Sequence, residues 1–217
     1  MRNGIRYTLI ADGSSDKALM NIIKWLLDDL YPRIAFEGQF ADFRHMPSPP
    51  EAGDVQAKII TAEEWYPFDI LFYHRDAETS RNNIVAERTQ EIREQMDEKY
   101  HPCTICLVPV RMMESWLLFD ADAIKKAAGN RRYNGQLDLP ALNRLESIPS
   151  PKQRLHDILK QASELKGRKL AKFNVHEAVH LVAENIQDFA PLRNLPAFQQ
   201  FEAELRRLLQ PFINALN

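Results

Sequence analysis

"FDILFYHRDAETS", Phe68–Ser80, is the stretch whose reading decides the fold. Its first half is an apolar run, bounded by charge and too short for an ordinary helix, and it reads as a buried strand. The run ends abruptly in His74, Arg75, Asp76, Ala77 and Glu78. If the backbone stays extended, the carboxylates of residues 76 and 78 point to one side. In an open parallel sheet, ligands bind beyond the carboxyl ends of the strands. Two acids at such an exit are therefore a candidate site.

Working outward, the same alternation recurs. "IRYTLIAD" (5–12) reads as a strand, and "DKALMNIIKWLLDDL" (16–30) as a helix with Leu19, Ile22, Ile23, Leu26, Leu27 and Leu30 on one face. Ser14 or Ser15 is the expected cap of that helix, with Asp16 in its first turn. "RIAFEGQFADFR" carries a weaker strand signal, one strand or a short hairpin, and the proline-rich "HMPSPPEAGD" is a loop. Helices are expected over "DVQAKIITAEEWY", "RNNIVAERTQEIREQMDEKY" and "MESWLLFDADAIKKAAGN", with a fourth strand at "CTICLVPV". Strands alternating with helices imply crossover connections and a mostly parallel, Rossmann-like sheet. Beyond about residue 130 only helical signals remain, in "SPKQRLHDILKQASELKG", "NVHEAVHLVAENIQDF" and "LPAFQQFEAELRRLLQPFINAL". The expected architecture is an α/β unit over 1–125 followed by an all-helical part over 126–217.

Composition fits a globular chain with a sizeable core: 45% hydrophobic and 27% charged over 217 residues. No apolar run approaches the roughly 20 residues that span a bilayer, and Asp12 interrupts the N-terminal apolar stretch too early for a signal peptide. A cytosolic protein with no membrane partner is expected. Cys103 and Cys106 form one C-x-x-C pair without a second pair to complete a zinc site, and strand alternation would point them apart. Net charge is −2, but its distribution is uneven. Residues 1–124 carry 13 Lys and Arg against 21 Asp and Glu, while residues 125–172 carry 12 against 4.

Acids fall at three predicted strand exits: Asp12 and Asp16 in "ADGSSD", Asp76 and Glu78 in "HRDAE", and Glu114 in "VPVRMME". Carboxylates gathered in this way can grip a hard cation such as Mg²⁺. Such an ion polarises a phosphoryl group or lowers the pKa of a water.

At these residues the chain resembles the toprim domain, the fold shared by topoisomerases, primases and OLD-type nucleases. "LIADGSSDKALMNII" is similar to the first toprim motif, in which a Glu precedes the Gly; here that position is Asp12, a methylene shorter. "LFYHRDAE" is similar to the second motif, usually Asp-x-Asp, with Glu78 as its second acid. "VPVRMMESWLLFDADAI" resembles a segment of bacterial toprim-like proteins, mainly of unknown function. The likeness covers about residues 5–125. It implies a nuclease that cleaves phosphodiester bonds of DNA or RNA with Mg²⁺ or Mn²⁺, in a bacterial defence or DNA-processing setting. Asp76, Glu78 and Glu114 would bind the metal. Asp12 would ligate it or act as acid or base, and Asp16 would join it in the catalytic loop, holding that loop by hydrogen bonds. His74, Arg75 and Arg111 would meet phosphate oxygens or pair with the acids. Such nucleases often work with an ATPase; no G-x-x-x-x-G-K-[ST] motif is present, so that ATPase would be a separate subunit.

A cutting site needs a positive surface for the backbone of its substrate. Arg131, Arg132, Lys166, Arg168 and Lys169 in the basic segment are candidates, against the plainer reading of a solvated helical face. Two rivals stand beside the nuclease. One is a binding subunit that keeps the fold without cleavage. The other is a zinc metalloprotease through His176-Glu177-x-x-His180, whose two histidines would share one helical face. No third histidine continues that motif, and Val175, Val179, Val182 and Ile186 give the helix an ordinary packing face.

Overall fold

Leu9, Ile10 and the whole of Ile70–His74 are buried, as befits strands covered by helices on both faces. The computed structural model describes residues 4–216. Its sheet comprises β1 (Gly4–Ile10), β2 (Ala35–Phe40), β3 (Ile70–His74) and β4 (Thr104–Leu107). Every pair is parallel, in the order β2-β1-β3-β4. Crossovers run through α1 (Leu19–Leu30), α2 (Val55–Trp65) and α3 (Ile84–Glu94). The fold is α/β and Rossmann-like. The chain leaves β1 for β2 on one side, then returns past β1 to β3 on the other. That reversal puts the ligand-binding crevice beyond the ends of β1 and β3, where Asp12, Asp16 and Asp76 follow in the sequence.

Local chemistry explains where elements depart from the sequence reading. "RIAFEGQFADFR" forms one parallel edge strand, not a hairpin, and the Ala41 N–H extends its pairing by donating to Leu9 O at 2.9 Å. None of its residues is buried, which blurs the strand pattern. A 3₁₀ turn, Ser14–Ala18, precedes α1, and Gly13 stands at its cap. The Asp16 carboxylate accepts the Gly13 N–H at 2.8 Å. Ser15 donates to Asp16 at 3.3 Å in place of capping the helix, and the Ser14 side chain lies outside the described residues. The helix expected over 113–130 splits into a 3₁₀ turn, Met113–Leu117, and α4 (Ala121–Ala127). Asp120 restarts it by accepting the Ala123 N–H at 2.9 Å.

The helical part comprises α5 (Pro151–Ser163), α6 (Gly167–Ala171), α7 (Val175–Asn185) and α8 (Pro196–Leu216). From α8, Phe198 and Phe201 close on Trp116 at ring separations of 5.3 and 6.3 Å, and Phe201 reaches Phe72 of β3 at 6.1 Å. One apolar cluster thus runs from the sheet into the helices. Trp116 is entirely buried there. Both cysteines are free; burial pushes the Cys106 thiol up to about 12. No described helix is long and apolar enough to cross a membrane.

Candidate active site

β3 delivers His74 to the crevice, 2% exposed, with Nδ1 at 3.0 Å from Leu107 O of the neighbouring strand. A carbonyl only accepts, so Nδ1 carries the hydrogen. The other nitrogen, Nε2, then faces two acids, Asp76 Oδ1 at 3.4 Å and Asp16 Oδ2 at 3.8 Å. A bare lone pair against a carboxylate oxygen is repulsive, so this arrangement calls for a proton between the imidazole and its neighbours.

Asp76 is fixed from a second direction, because Oδ1 accepts the Met113 N–H at 2.9 Å. Its carboxyl is pushed up to about 7, first by burial, then by the charges of Asp16 and Glu114, against the opposing pull of His74 and the Met113 N–H. Glu114 is 2% exposed. Burial foremost, and the charge of Asp16, raise its carboxyl as well, while Lys152 from α5 stands 3.9 Å from Oε1 and opposes the rise. Its second oxygen, Oε2, is buried without a hydrogen-bond partner. Two carboxylates thus face one imidazole, a third acts on them through its charge, and one oxygen of that third is orphaned. Such a cost is tolerated where a site has a use for it.

The backbone beside Asp76 leaves the strand. Arg75, Ala77 and Glu78 donate to Leu107 O, Pro109 O and Arg111 O at 3.2, 3.1 and 2.8 Å, and Arg111 returns a bond to Thr79 O at 3.2 Å. Within this cross-brace both Glu78 (φ 61) and Arg111 (φ 64) are left-handed, a costly conformation for residues other than glycine. The extended geometry that would put Asp76 and Glu78 on one side is therefore lost. Glu78 is 79% exposed and lies 3.9 Å from Arg88 Nη2.

Asp12 also has another partner. It is 51% exposed and forms an ion pair with Lys58 of α2, a lysine only 5% exposed. The five predicted acids therefore divide: Asp16 and Asp76 face His74 and Glu114 acts on them through its charge, while Asp12 and Glu78 are engaged with Lys58 and Arg88. Asp16 both holds the loop through Gly13 and faces His74.

Among the described residues no three His, Cys, Asp or Glu side chains already stand in metal-ligating geometry. The donor set is nonetheless that of a hard divalent cation. It is all oxygen, its charges repel one another, and Glu114 Oε2 lacks a partner. Asp16, Asp76 and Glu114 are the residues that would hold Mg²⁺ or Mn²⁺.

Arg111 donates to Ser80 Oγ at 3.0 Å, and its Nε is buried without a partner. Arg75 is half-buried. Arg131, Arg132, Lys166, Arg168 and Lys169 are all exposed, and none of them pairs with a carboxylate among the described residues. On α7, the His176 ring meets the His156 ring of α5 at 5.3 Å, edge to face. His176 and His180 line one cavity together with Lys17, Glu177 and Glu184, apart from the carboxylates, and burial foremost lowers the His180 pKa.

Lys58, Lys152 and the Met113 N–H make contacts with the predicted acids that the motifs do not announce. Lys58 alone leaves a signal: it occupies an apolar-stripe position of α2 beside Val55, Ile59 and Ala62. No protein-family model matches the chain, and neither does any curated protein or solved structure.

Proposed function

We propose that the chain is a metal-dependent phosphodiesterase, a nuclease of toprim type acting on DNA or RNA. The observation that carries this reading is the pair Asp16 and Asp76 facing His74, joined through charge by the buried Glu114, which has an unpartnered oxygen. When bound, Mg²⁺ or Mn²⁺ supplies Lewis-acid polarisation of a phosphoryl oxygen and lowers the pKa of a water. The protein's own part is positional and protonic. His74, locked by Leu107 O, orients Asp16 and Asp76. Lys152 stands at the rim beside Glu114, where it meets a phosphate oxygen. The unpaired cations Arg131, Arg132, Lys166, Arg168 and Lys169 hold the strand through its phosphates.

The test is nicking of supercoiled plasmid and of single-stranded RNA with Mg²⁺ or Mn²⁺. Asp76→Asn keeps the size of the side chain and removes its charge. We expect it to lower cleavage by roughly 10²–10⁴-fold, while His176→Ala leaves cleavage at the wild-type rate. Wild-type cleavage by Asp76→Asn would refute the assignment. Zinc that co-purifies stoichiometrically and is lost with His180→Ala would favour the protease instead.

A second reading is a non-cleaving subunit of a complex with a separate ATPase. It is supported by the engagement of Asp12 with Lys58 and of Glu78 with Arg88. Absence of cleavage with every divalent metal, together with a stable ATPase partner, would favour it.

A further inference from the structure

We infer that the cavity between the ends of β1 and β2 and the proline loop is a pocket for one nucleotide, with Lys58 as its phosphate ligand. The cavity measures about 270 Å³ and is lined by Asp12, Phe43, Arg44, Pro49, Pro50 and Lys58. It lies on the α2 side of Asp12, and none of Asp16, Asp76 and Glu114 lines it.

Lys58 is the decisive residue. It sits on the buried face of α2, 4% exposed, with its ammonium at the cavity wall. An ammonium carries three donors, and among the described residues only Asp12 meets this one. Burying a cation against a single half-exposed carboxylate leaves much of its desolvation uncompensated. The unused donors make a ready anion site. Arg44 adds a second cation at the rim, held at present by Asp42 through contacts of 2.7 and 2.5 Å. Phe43, Pro49 and Pro50 supply flat apolar walls suited to a ring, and rings stack on such surfaces with little regard to sequence.

Size limits the occupant. A cavity of about 270 Å³ admits a single nucleotide and is too small for a dinucleotide. Position selects the class. Asp12 and Gly13 form one wall, and Gly13 is the residue to which Asp16 of the trio is anchored. A nucleotide seated here stands directly beside the cleavage centre. The choice of a nucleotide over another phosphate compound rests on the phosphodiesterase reading. Asp12 competes with the incoming phosphate for Lys58, and its exposure leaves it free to swing aside.

The experiment is calorimetric titration of the full chain with thymidine 5′-monophosphate, and separately with inorganic phosphate, in EDTA. We expect the mononucleotide to bind at least tenfold more tightly than phosphate. Lys58→Met should weaken it at least tenfold, and Asp12→Asn should tighten it several-fold by freeing Lys58. Equal affinity for phosphate and nucleotide, or a folded Lys58→Met protein with wild-type affinity, overturns the pocket. So does an Asp12→Asn protein that binds no more tightly, a result that does not depend on Lys58→Met folding. A chain that cleaves DNA but does not bind the mononucleotide overturns the pocket and spares the cleavage reading. Binding without cleavage under any metal supports the pocket and overturns the cleavage reading.

Discussion

Asp76→Asn should stabilise the metal-free protein, and the gain should grow with pH. The Asp76 carboxyl titrates at 3.8 in the unfolded chain and at about 7 in the folded one. Below pH 3.8 both states are protonated and the group contributes nothing. Between 3.8 and about 7 the folded state keeps a proton that the unfolded state has lost, so rising pH erodes stability. Three pH units at about 1.4 kcal/mol each set an upper bound of about 4 kcal/mol, fully in force above neutrality. The side chain is 21% exposed, so water screens part of this, and we expect about 2 kcal/mol. For a chain of this length that is roughly 4–8 °C in Tm. Asparagine keeps an oxygen at the Oδ1 position, where the Met113 N–H donates, so the packing survives while the charge goes. Urea unfolding followed by circular dichroism in EDTA, at pH 5, 6, 7 and 8, measures the difference. It should shrink toward zero as pH falls to about 4. A difference that is flat with pH, or a variant less stable than wild type at pH 8, would refute the placement of Asp76 in a cluster of like charges. A stabilised protein that has also lost cleavage would show activity and stability opposed at one residue.

Two further outcomes follow from the packing and the surface. Trp116→Ala should cost roughly 3–5 kcal/mol in urea unfolding, because the ring is fully buried against Phe198 at 5.3 Å. A cost under about 1 kcal/mol would contradict the described packing of α8. Replacing Arg131, Arg132, Lys166, Arg168 and Lys169 by Gln should flatten the dependence of nucleic-acid affinity on salt, by about 0.7–0.9 in log–log slope for each phosphate left without its cation. An unchanged slope would reduce these residues to a solvated face.

The alternation of strands and helices is legible in the sequence because the strands are buried. "FDILFYH" cannot be mistaken for a surface segment, and all of Ile70–His74 proves to be enclosed. The edge strand β2 is the faint one, since exposure removes the apolar pattern that announces a strand. At the site, sequence order places acids at the correct edge of the sheet but cannot say which acids meet. An extended backbone would set Asp76 and Glu78 side by side, and a left-handed residue at position 78 rotates the second carboxylate away. Nothing in "HRDAETS" signals that turn: it depends on bonds to Arg111, more than thirty residues further along. The same holds for Lys152, which reaches Glu114 from a helix in the all-helical part. The helix restart at Asp120 is present as a letter, but the apolar periodicity on either side masks it.

The cross-brace between the exits of β3 and β4 ties the chemistry of the centre to the order in which the chain is made. Leu107 O fixes the His74 tautomer, the Met113 N–H steadies Asp76, and Glu114 completes the trio. All three arrive with a single late strand and the turn that follows it. Lys152 comes later still. Domains assemble from the N-terminus during synthesis, so a nascent chain carrying β1, β2 and β3 already holds Asp12, Asp16 and Asp76 but lacks the Leu107 carbonyl, the Met113 N–H and Glu114. On the proposed reading the centre would be complete only once β4 and the turn after it have been made.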